Sequence, residues 1–372
     1  MGNPVHYPKR MVLLCGCGGV GKTSLTAALG YLAARNGDTS MIFTIDPARR
    51  LADTLGIRLD TDDPVPIPLP VHPSSTSGGT LQAAMFTIDR AAESLVHRYA
   101  DSDTHARTII DNRVFRLAVG HLSGTEEFLA LGKLYQLMTD HPVDTLIVDT
   151  APSRHALDFL SGPDRLLKLI DPAVMNRIKP SIHRFVRTGT TGGSGAGSIL
   201  GRIVSRIAGD TIIDATIDLI AQIATMYDAF THRVHNLHSI LRDRSRTRII
   251  LVASPMPSAL DDARTIYTEL SHAGFPPDTI VFNRVTPPLI RHATLPFSAR
   301  SRQISVSEPL FSELPLFLCR HQKQVERETL RMTSFLKTIP HPSPCPRIPL
   351  LPGDIRSLDD LEKLHPYLAD CV

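Results

Sequence analysis

The run GCGGVGKT, residues 16–23, carries the most specific chemistry in the sequence, because it fits the pattern GxxxxGK[ST]. Glycines let the backbone curl so that successive N–H groups point inward, and with the start of a following helix they cradle phosphates. Lys22 would place a positive charge at the β- and γ-phosphates of a nucleotide, and the Thr23 hydroxyl would coordinate Mg²⁺. The backbone of this predicted phosphate loop is supplied by Gly18, Gly19, Val20 and Gly21.

Two acidic residues are candidates to complete such a site. Asp149 ends the apolar run DTLIVD, which is the usual place for an acid that holds Mg²⁺ through water. Asp46 ends another apolar run, in TIDPARR, and its carboxylate could orient an attacking water. The alternative for either residue is a helix N-cap. Both follow predicted strands, where α/β proteins open their ligand crevices.

The elements that must position these residues alternate between strand and helix. An Ala- and Leu-rich helix is predicted over Thr23–Arg35, residues 60–80 are predicted to be a loop, and residues 89–141 are predicted to be helical with several breaks. Apolar runs predict strands at Met11–Cys15, 40–45, Leu81–Ile88, Asp144–Val148, Arg248–Ala253, Thr279–Phe282 and Arg347–Leu351. This alternation predicts an α/β fold, a mostly parallel sheet flanked by helices.

Residues 163–246 interrupt that alternation. Apolar residues recur there at helical spacing in two stretches, the second of which runs from Ile213 to Leu241. Between the two stretches lies a flexible Gly/Ser/Thr loop at residues 188–198. The pattern predicts a helical subdomain inserted into one domain that spans residues 1–372.

The composition excludes several classes of protein. Hydrophobic residues make up 42% and charged residues 21%, which argues against wholesale disorder. A net charge of +3 does not suggest a bulk nucleic-acid binder, so no nucleic-acid partner is expected. Five cysteines without a CxxC pair indicate neither a disulfide framework nor a structural zinc site. Without a signal sequence or a membrane span, the expectation is a soluble cytoplasmic protein with transient membrane association at most.

Five motifs, in order, resemble one known family. They are GCGGVGKTS, TIDPARRLAD, DTAPSRHALDFL, VFNRV and IPLLPGDIRSLDDL. In this order they resemble the arsenical pump-driving (ArsA) ATPases and the related guided-entry ATPases that target tail-anchored membrane proteins. The resemblance extends from about Met11 to Leu361, and its single phosphate loop is similar to that of single-loop bacterial members.

The resemblance implies a P-loop NTPase fold with a deviant Walker A loop, and it implies ATP and Mg²⁺ as cofactors. By it, Asp46 would act in a first switch as the water-orienting carboxylate. Residues 149–155 would form a second switch that senses the γ-phosphate. The phosphates and Mg²⁺ would be bound by Gly19, Gly21, Lys22, Thr23 and Ser24.

The resemblance also implies a base site, partners and a use for the insertion. Asn283 would contact the adenine edge, and a segment from Pro349 to Pro352 would pack near the base. Members form face-to-face dimers, so the expected partner is a second copy or a homologous ATPase. In targeting members the helical insertion, here about residues 163–246, builds an apolar groove for a hydrophobic membrane-protein client.

One position departs from the family pattern. Members commonly carry GKGGVGKT, whose first Lys reaches the partner's phosphates across the dimer, and this sequence has Cys17 there. A thiol does not supply the positive charge that stabilises a transferring phosphoryl group. Three alternatives follow. The chain hydrolyses slowly, another group compensates for the missing charge, or the chain pairs with a related chain that keeps the Lys.

The sequence therefore supports several functions. The first is an ATPase that switches a dimer between open and closed states for membrane-protein targeting or chaperoning. The second is the energising subunit of an anion transport system. A spatial-positioning ATPase ranks third, and a weakly active regulatory partner in a heteromeric ATPase is the fourth alternative. In every case Lys22 and Asp46 are the residues expected to act in catalysis.

Overall fold

The structure is a computed structural model. It describes the following residues: 7–46, 50–59, 63–70, 78–100, 102–112, 115–116, 119, 125–150, 157–162, 233–289, 308–340 and 345–371. For residues 308–315 and 370 it describes the backbone alone.

A single eight-stranded sheet organises this part of the chain. Its strands, in chain order, are β1 Arg10–Gly16, β2 Thr39–Thr44, β3 Val65–Ile67, β4 Thr80–Met85, β5 Thr145–Asp149, β6 Thr247–Ala253, β7 Thr279–Val285 and β8 Arg347–Pro349. Their spatial order is β3-β4-β2-β5-β1-β6-β7-β8. All neighbours are parallel except β3, which pairs antiparallel with β4. The predicted α/β fold with a mostly parallel sheet is confirmed.

Helices cover both faces of the sheet. Those with described bounds are α1 Lys22–Arg35, α2 Arg50–Leu55, α3 Ile88–Tyr99, α4 Asp103–Asp111, α5 Thr125–Asp140, α6 Pro257–His272, α7 Glu308–Lys337, α8 Leu358–Glu362 and α9 His365–Leu368, followed by a short 3₁₀ helix, Ala369–Cys371. Residues 157–162 and 233–242 are also helical. None of the described helices combines the length and the apolar character that a membrane crossing requires.

Strand β1 shows how the sheet divides the apolar core into two layers. Successive side chains of a strand point to opposite faces, so Met11 and Leu13 enter one layer while Val12 and Leu14 enter the other. The first layer is closed by α5, α6 and the end of α7, and the second by α1 and the carboxyl-terminal helices. Because β1 is buried on both faces, its sequence is a continuous apolar run rather than an alternating one.

Most strands lie where the apolar runs predict them, with two differences. Strand β3 falls inside the predicted loop 60–80, and it is only three residues long with Pro66 at its centre. An edge strand tolerates this proline because its N–H side faces no partner strand. Ile88 was predicted to end a strand, but β4 ends at Met85 and Ile88 is the first residue of α3.

The predicted helical insertion, 163–246, lies mostly outside the described residues. Its last part, residues 233–242, is a helix that leads through a turn into β6. Leu237 and Leu241, at the end of the predicted stripe, are buried against the sheet's first apolar layer. At its end, therefore, the stripe packs on the core. The flexible loop predicted at 188–198 also lies outside the described residues.

Candidate active site

The glycine-rich run forms the turn between β1 and α1, at the carboxyl end of the sheet. Gly19 and Gly21 have φ of 78° and 93°, a region that a side chain disfavours. Gly21 is also the N-cap of α1. A Cβ atom on Gly21 would lie 2.3 Å from the Nδ2 atom of Asn283, so a side chain there would strain the backbone and displace the Asn283 amide. These glycines shape the curled backbone that binds anions at helix N-termini.

Lys22 is held inside the loop. The residue is 7% exposed, and its Nζ donates hydrogen bonds to the carbonyls of Gly16 at 3.0 Å and Cys17 at 3.1 Å. Burial lowers the pKa of this amine, and the nearby Asp149 carboxylate opposes the shift. The contacts hold the loop curled around a positive charge that is available to an incoming phosphate.

Asp149 ends β5, beside β1 and β2, and is completely buried. Its Oδ2 accepts hydrogen bonds from the Thr23 hydroxyl at 2.7 Å and the Thr44 hydroxyl at 3.2 Å. Its Oδ1 has no hydrogen-bond partner. Burial raises the pKa of the carboxyl group to about 6, against the opposing effect of the Thr23 hydrogen bond. A buried carboxylate oxygen without a partner is costly, which points to a missing ligand.

The residues fit Mg²⁺. A hydroxyl from Thr23 and a carboxylate from Asp149 are the hard oxygen ligands that Mg²⁺ prefers, and the free Oδ1 leaves an acceptor for a metal-bound water. Mg²⁺ usually takes few protein ligands and completes its shell with water and substrate phosphates. The pair predicted from sequence is therefore brought together by the fold.

Asp46 follows β2 and lines the same cavity. Its side chain is 14% exposed and lies 3.8 Å from the guanidinium of Arg50, at the start of α2. The carboxylate therefore lies beside the phosphate loop and is accessible from the cavity. The next residues of that motif, 47–49, lie outside the described part of the chain, as do residues 151–156 of the predicted second switch.

Asn283 lies at the end of β7 and contacts the phosphate loop directly. Its Nδ2 donates to the carbonyl of Val20 at 2.8 Å, and its Oδ1 accepts from the backbone N–H of Arg284 at 2.9 Å. Both ends of this amide are therefore engaged in the structure. Asn283 also lines the cavity, and its predicted contact with adenine stays a prediction.

The cavity measures about 1080 Å³ and extends from the phosphate loop to the segment after β8. Among the predicted residues, those that line it are Gly19, Gly21, Lys22, Thr23, Ser24, Asp46, Asn283, Pro349 and Pro352. Gly18 and Val20 belong to the loop without being among the lining residues. Asp149 lies behind Thr23, where it contacts the cavity through that hydroxyl.

Cys17 does not face the cavity. The residue is 6% exposed and packs in the apolar layer beside α1. Burial raises the pKa of its thiol, and the Asp262 carboxylate on α6 acts in the same direction. A neutral thiol therefore occupies this position, and no charge from it reaches the phosphate end.

Sequence reasoning missed two residues of the site. Thr44 gives Asp149 its second hydroxyl contact, and Arg284 donates from its Nη1 to the carbonyl of Gly19 at 2.9 Å. The signal for Thr44 is a polar residue at the buried end of an apolar strand. For Arg284 it is a cation directly after the asparagine of VFNRV.

Several known proteins with similar sequences are ATPases by name. The chain is 26% identical over 294 residues to "ATPase ARSA1" of Chlamydomonas reinhardtii, covering 74% of this chain and 35% of that protein. It is 24% identical over 301 residues to "ATPase GET3B" of Arabidopsis thaliana, covering 75% of this chain and 65% of the relative. A "Putative arsenical pump-driving ATPase 1" of Aquifex aeolicus is 22% identical over 324 residues, covering 83% of this chain and 73% of the relative.

The alignments with the Chlamydomonas and Arabidopsis proteins span less than two thirds of each relative's own length. A family model supplies the stronger evidence, because it matches residues 9–307, from the start of β1 past the end of β7. That match includes the loop, both acidic residues and the asparagine that contacts the loop. On this evidence the chain belongs to the anion-transporting ATPase family.

Proposed function

We propose that the chain binds ATP with Mg²⁺ in this cavity and hydrolyses it. The observation that carries the proposal is Asp149, a buried carboxylate with one oxygen on the Thr23 hydroxyl and the other without a partner. Behind a closed glycine loop that contains a buried lysine, such a pair is suited to a metal–triphosphate. Mg²⁺, when bound, neutralises charge on the β- and γ-phosphates.

The chain's own residues divide the remaining work. The loop amides and Lys22 bind and orient the phosphates, and Lys22 stabilises the negative charge that the leaving group develops. Asp46 orients the attacking water from the mouth of the loop and accepts its proton. Thr23 and Asp149 would hold the Mg²⁺ ion, Asp149 through a metal-bound water. The cavity's other end, from Pro349 to Pro352, receives the base.

The test of this function is single-turnover hydrolysis of radiolabelled ATP by purified protein with and without Mg²⁺. We expect Mg²⁺-dependent release of phosphate by the wild type, and at least a 100-fold slower rate in Asp46→Asn, since removing a general base typically costs 10²–10⁴-fold. Asp111→Asn is the matched control, because that acid on α4 is largely exposed and is not among the residues that line the cavity.

Equal rates for wild type and Asp46→Asn would remove Asp46 from the mechanism. A wild type that releases no phosphate above the buffer rate would overturn the hydrolytic function itself. Single turnover is chosen because Cys17 supplies no charge, and slow hydrolysis would escape a steady-state assay.

The proposal extends to a dimer that ATP closes and hydrolysis opens, formed with a second copy or with a homologous ATPase. The resemblance of the five sequence motifs to guided-entry ATPases, whose members form face-to-face dimers, supports this assignment. In a targeting protein, the inserted helices within 163–246 would bind a hydrophobic membrane-protein client. Light scattering with and without a non-hydrolysable ATP analogue tests the dimer, and a nucleotide-independent monomer would contradict it.

A second candidate is the energising subunit of an anion transport system. It is favoured by the description of the matching family and by the name of the Aquifex relative. Stimulation of ATP hydrolysis by arsenite or another oxyanion would support this candidate. A hydrolysis rate indifferent to oxyanions, together with nucleotide-dependent capture of a hydrophobic segment, would favour targeting.

A further inference from the structure

Two consecutive side chains at the end of β7 contact two consecutive carbonyls of the phosphate loop. Asn283 donates to the Val20 carbonyl at 2.8 Å, and Arg284 donates from its guanidinium to the Gly19 carbonyl at 2.9 Å. Asn283 is buried, whereas Arg284 is exposed and lines the cavity. The loop is thus held by one neutral and one charged donor from β7.

These contacts act on the loop amides that would bind phosphate. In a trans peptide the C=O and N–H point in opposite directions, so the donor on the Gly19 carbonyl lies opposite the N–H of Val20. The donor on the Val20 carbonyl likewise lies opposite the N–H of Gly21. A hydrogen bond to the oxygen of a peptide polarises its N–H into a better donor, and a charged donor does so most strongly. Each of these N–H groups therefore points away from the β7 side chain that holds its carbonyl.

The backbone at Arg284 is distorted in a way that directs the side chain to the loop. Arg284 has φ of 60°, and it is the only described non-glycine residue with a positive φ. Phe282 lies opposite Arg347 and Val285 opposite Pro349, so β7 carries one extra residue at Asn283–Arg284. Such bulges re-aim side chains next to functional sites, and a non-glycine residue adopts the left-handed region only at an energetic cost.

We propose that Arg284 is a positioning residue that strengthens phosphate binding through the Gly19 carbonyl, acting on the loop rather than on the base or the metal. The inference rests on the proposed function, since it concerns the affinity of the same site for a nucleotide polyphosphate. It assigns to Arg284 a cationic role at a loop where Lys22 is buried and Cys17 is neutral. The expected ligand chemistry is a di- or triphosphate, because a single α-phosphate reaches fewer of the loop amides.

The experiment measures the affinities of ATP, ADP and AMP for the full chain by displacement of a fluorescent ATP analogue. We expect Arg284→Gln to weaken ATP and ADP by about tenfold and AMP by less than about twofold, which corresponds to the loss of one charge-assisted hydrogen bond. Arg284→Lys should recover most of the loss. Arg320→Gln, an exposed arginine on α7, is the matched control and should bind all three as wild type does.

A glycine variant separates positioning from support of the fold. Arg284→Gly removes the charge and also relieves the left-handed backbone, so the nucleotide-free protein should unfold at an unchanged or higher temperature while its affinity for ATP falls. Wild-type affinity for ATP in Arg284→Gln would overturn the inference. So would equal losses for ATP and AMP, or a lowered unfolding temperature in both variants. A wild type that binds no ATP would instead refute the proposed function.

Discussion

The two ends of the cavity are built differently. At the phosphate end the polar side chains are buried and tied to one another or to the loop, as Lys22, Thr23 and Asp149 show. At the other end, where we propose that the base binds (the base end), the segment after β8 is open to solvent. Leu350 is 55% exposed, and the ion pair of Arg356 with Asp354 is almost fully exposed on both sides.

This difference separates a preformed region from an adaptable one. Buried polar groups that are fixed before the ligand arrives act in a low dielectric and need no rearrangement at the moment of reaction. Exposed ion pairs are screened and contribute little to stability. Substitutions at the phosphate end should therefore have large effects and those at the base end small ones.

The largest effect is expected from Lys22→Ala. It removes the positive charge at the phosphates and leaves the carbonyls of Gly16 and Cys17 without their donor. We expect single-turnover hydrolysis to fall at least about 100-fold, in line with the loss of one preorganised donor. Lys323→Ala on the exposed face of α7 should leave the rate unchanged. A hydrolysis rate of Lys22→Ala within tenfold of the wild-type rate would contradict the distinction between the two ends of the cavity.

Asp149→Asn should act in opposite directions on stability and on metal binding. The raised pKa of Asp149, about 6, means that folding favours its neutral form. Its stabilising contribution is thus present below about pH 4 and lost as the pH rises through about 6. At pH 7.5 the buried carboxylate destabilises the metal-free protein, and we expect the asparagine variant to gain about 1–3 kcal/mol in free energy of unfolding.

The same variant should bind Mg²⁺ more weakly. Because the metal competes with the proton on Asp149, wild-type Mg²⁺ affinity should rise as the pH increases through about 6. Asp149→Asn should bind Mg²⁺·ATP about 10- to 100-fold more weakly and show no such pH dependence. Denaturant titrations at pH 4.5 and 7.5, and isothermal titration with Mg²⁺·ATP, measure both effects. A variant less stable at pH 7.5 would show that Asp149 is structural rather than a ligand position.

Gly21→Ala tests the shape of the loop alone. A Cβ atom would meet the Asn283 amide at 2.3 Å at a residue with φ of 93°, so the loop must open or the Asn283 contact must break. We expect a loss of about 1–3 kcal/mol in free energy of unfolding and about tenfold weaker ATP binding. Gly37→Ala is a useful control because its φ is 102° but nothing lies near its Cβ. Gly37→Ala should lower the free energy of unfolding, because its backbone is strained with a side chain, and should leave the affinity for ATP unchanged.

The smallest effect is expected at the base end. Arg356→Ala breaks an ion pair with Asp354 whose side chains are 78% and 77% exposed, and such pairs are worth under about 1 kcal/mol. We expect the unfolding temperature to stay within about 2 °C and the affinity for ATP to change less than threefold. A tenfold loss would mean that the base end is as preformed as the loop.

The sequence predicted the parts of the site that depend on local pattern. Buried parallel strands are continuous apolar runs, so β1, β2 and β5 and the polar residues at their ends were visible. Strand β3 was hidden because three residues around a proline carry no periodicity, and Ile88 was misplaced because an apolar residue suits the end of a strand and the start of a helix alike. The conformational preferences of single residues do not determine where one element ends and the next begins.

Other contacts were beyond prediction because they depend on chain topology. Thr44 meets Asp149 only because β2 and β5 are neighbours in the sheet, and Arg284 meets Gly19 where β7 carries an extra residue. A positive φ at an arginine leaves no trace in composition or spacing. The buried environment of Cys17 also depends on α6, which follows in the chain more than two hundred residues later.

The central place of β1 has a consequence for biosynthesis. Met11 is aligned with Leu146 on one side and with Thr247 on the other. A ribosome adding roughly 5–20 residues per second therefore makes β1 on the order of ten seconds or more before its second neighbour exists. Until then one edge of this apolar strand is unpaired, and such exposed edges are prone to aggregation. In that interval the phosphate loop also lacks its contacts with Asn283 and Arg284, which form only after β7 has emerged.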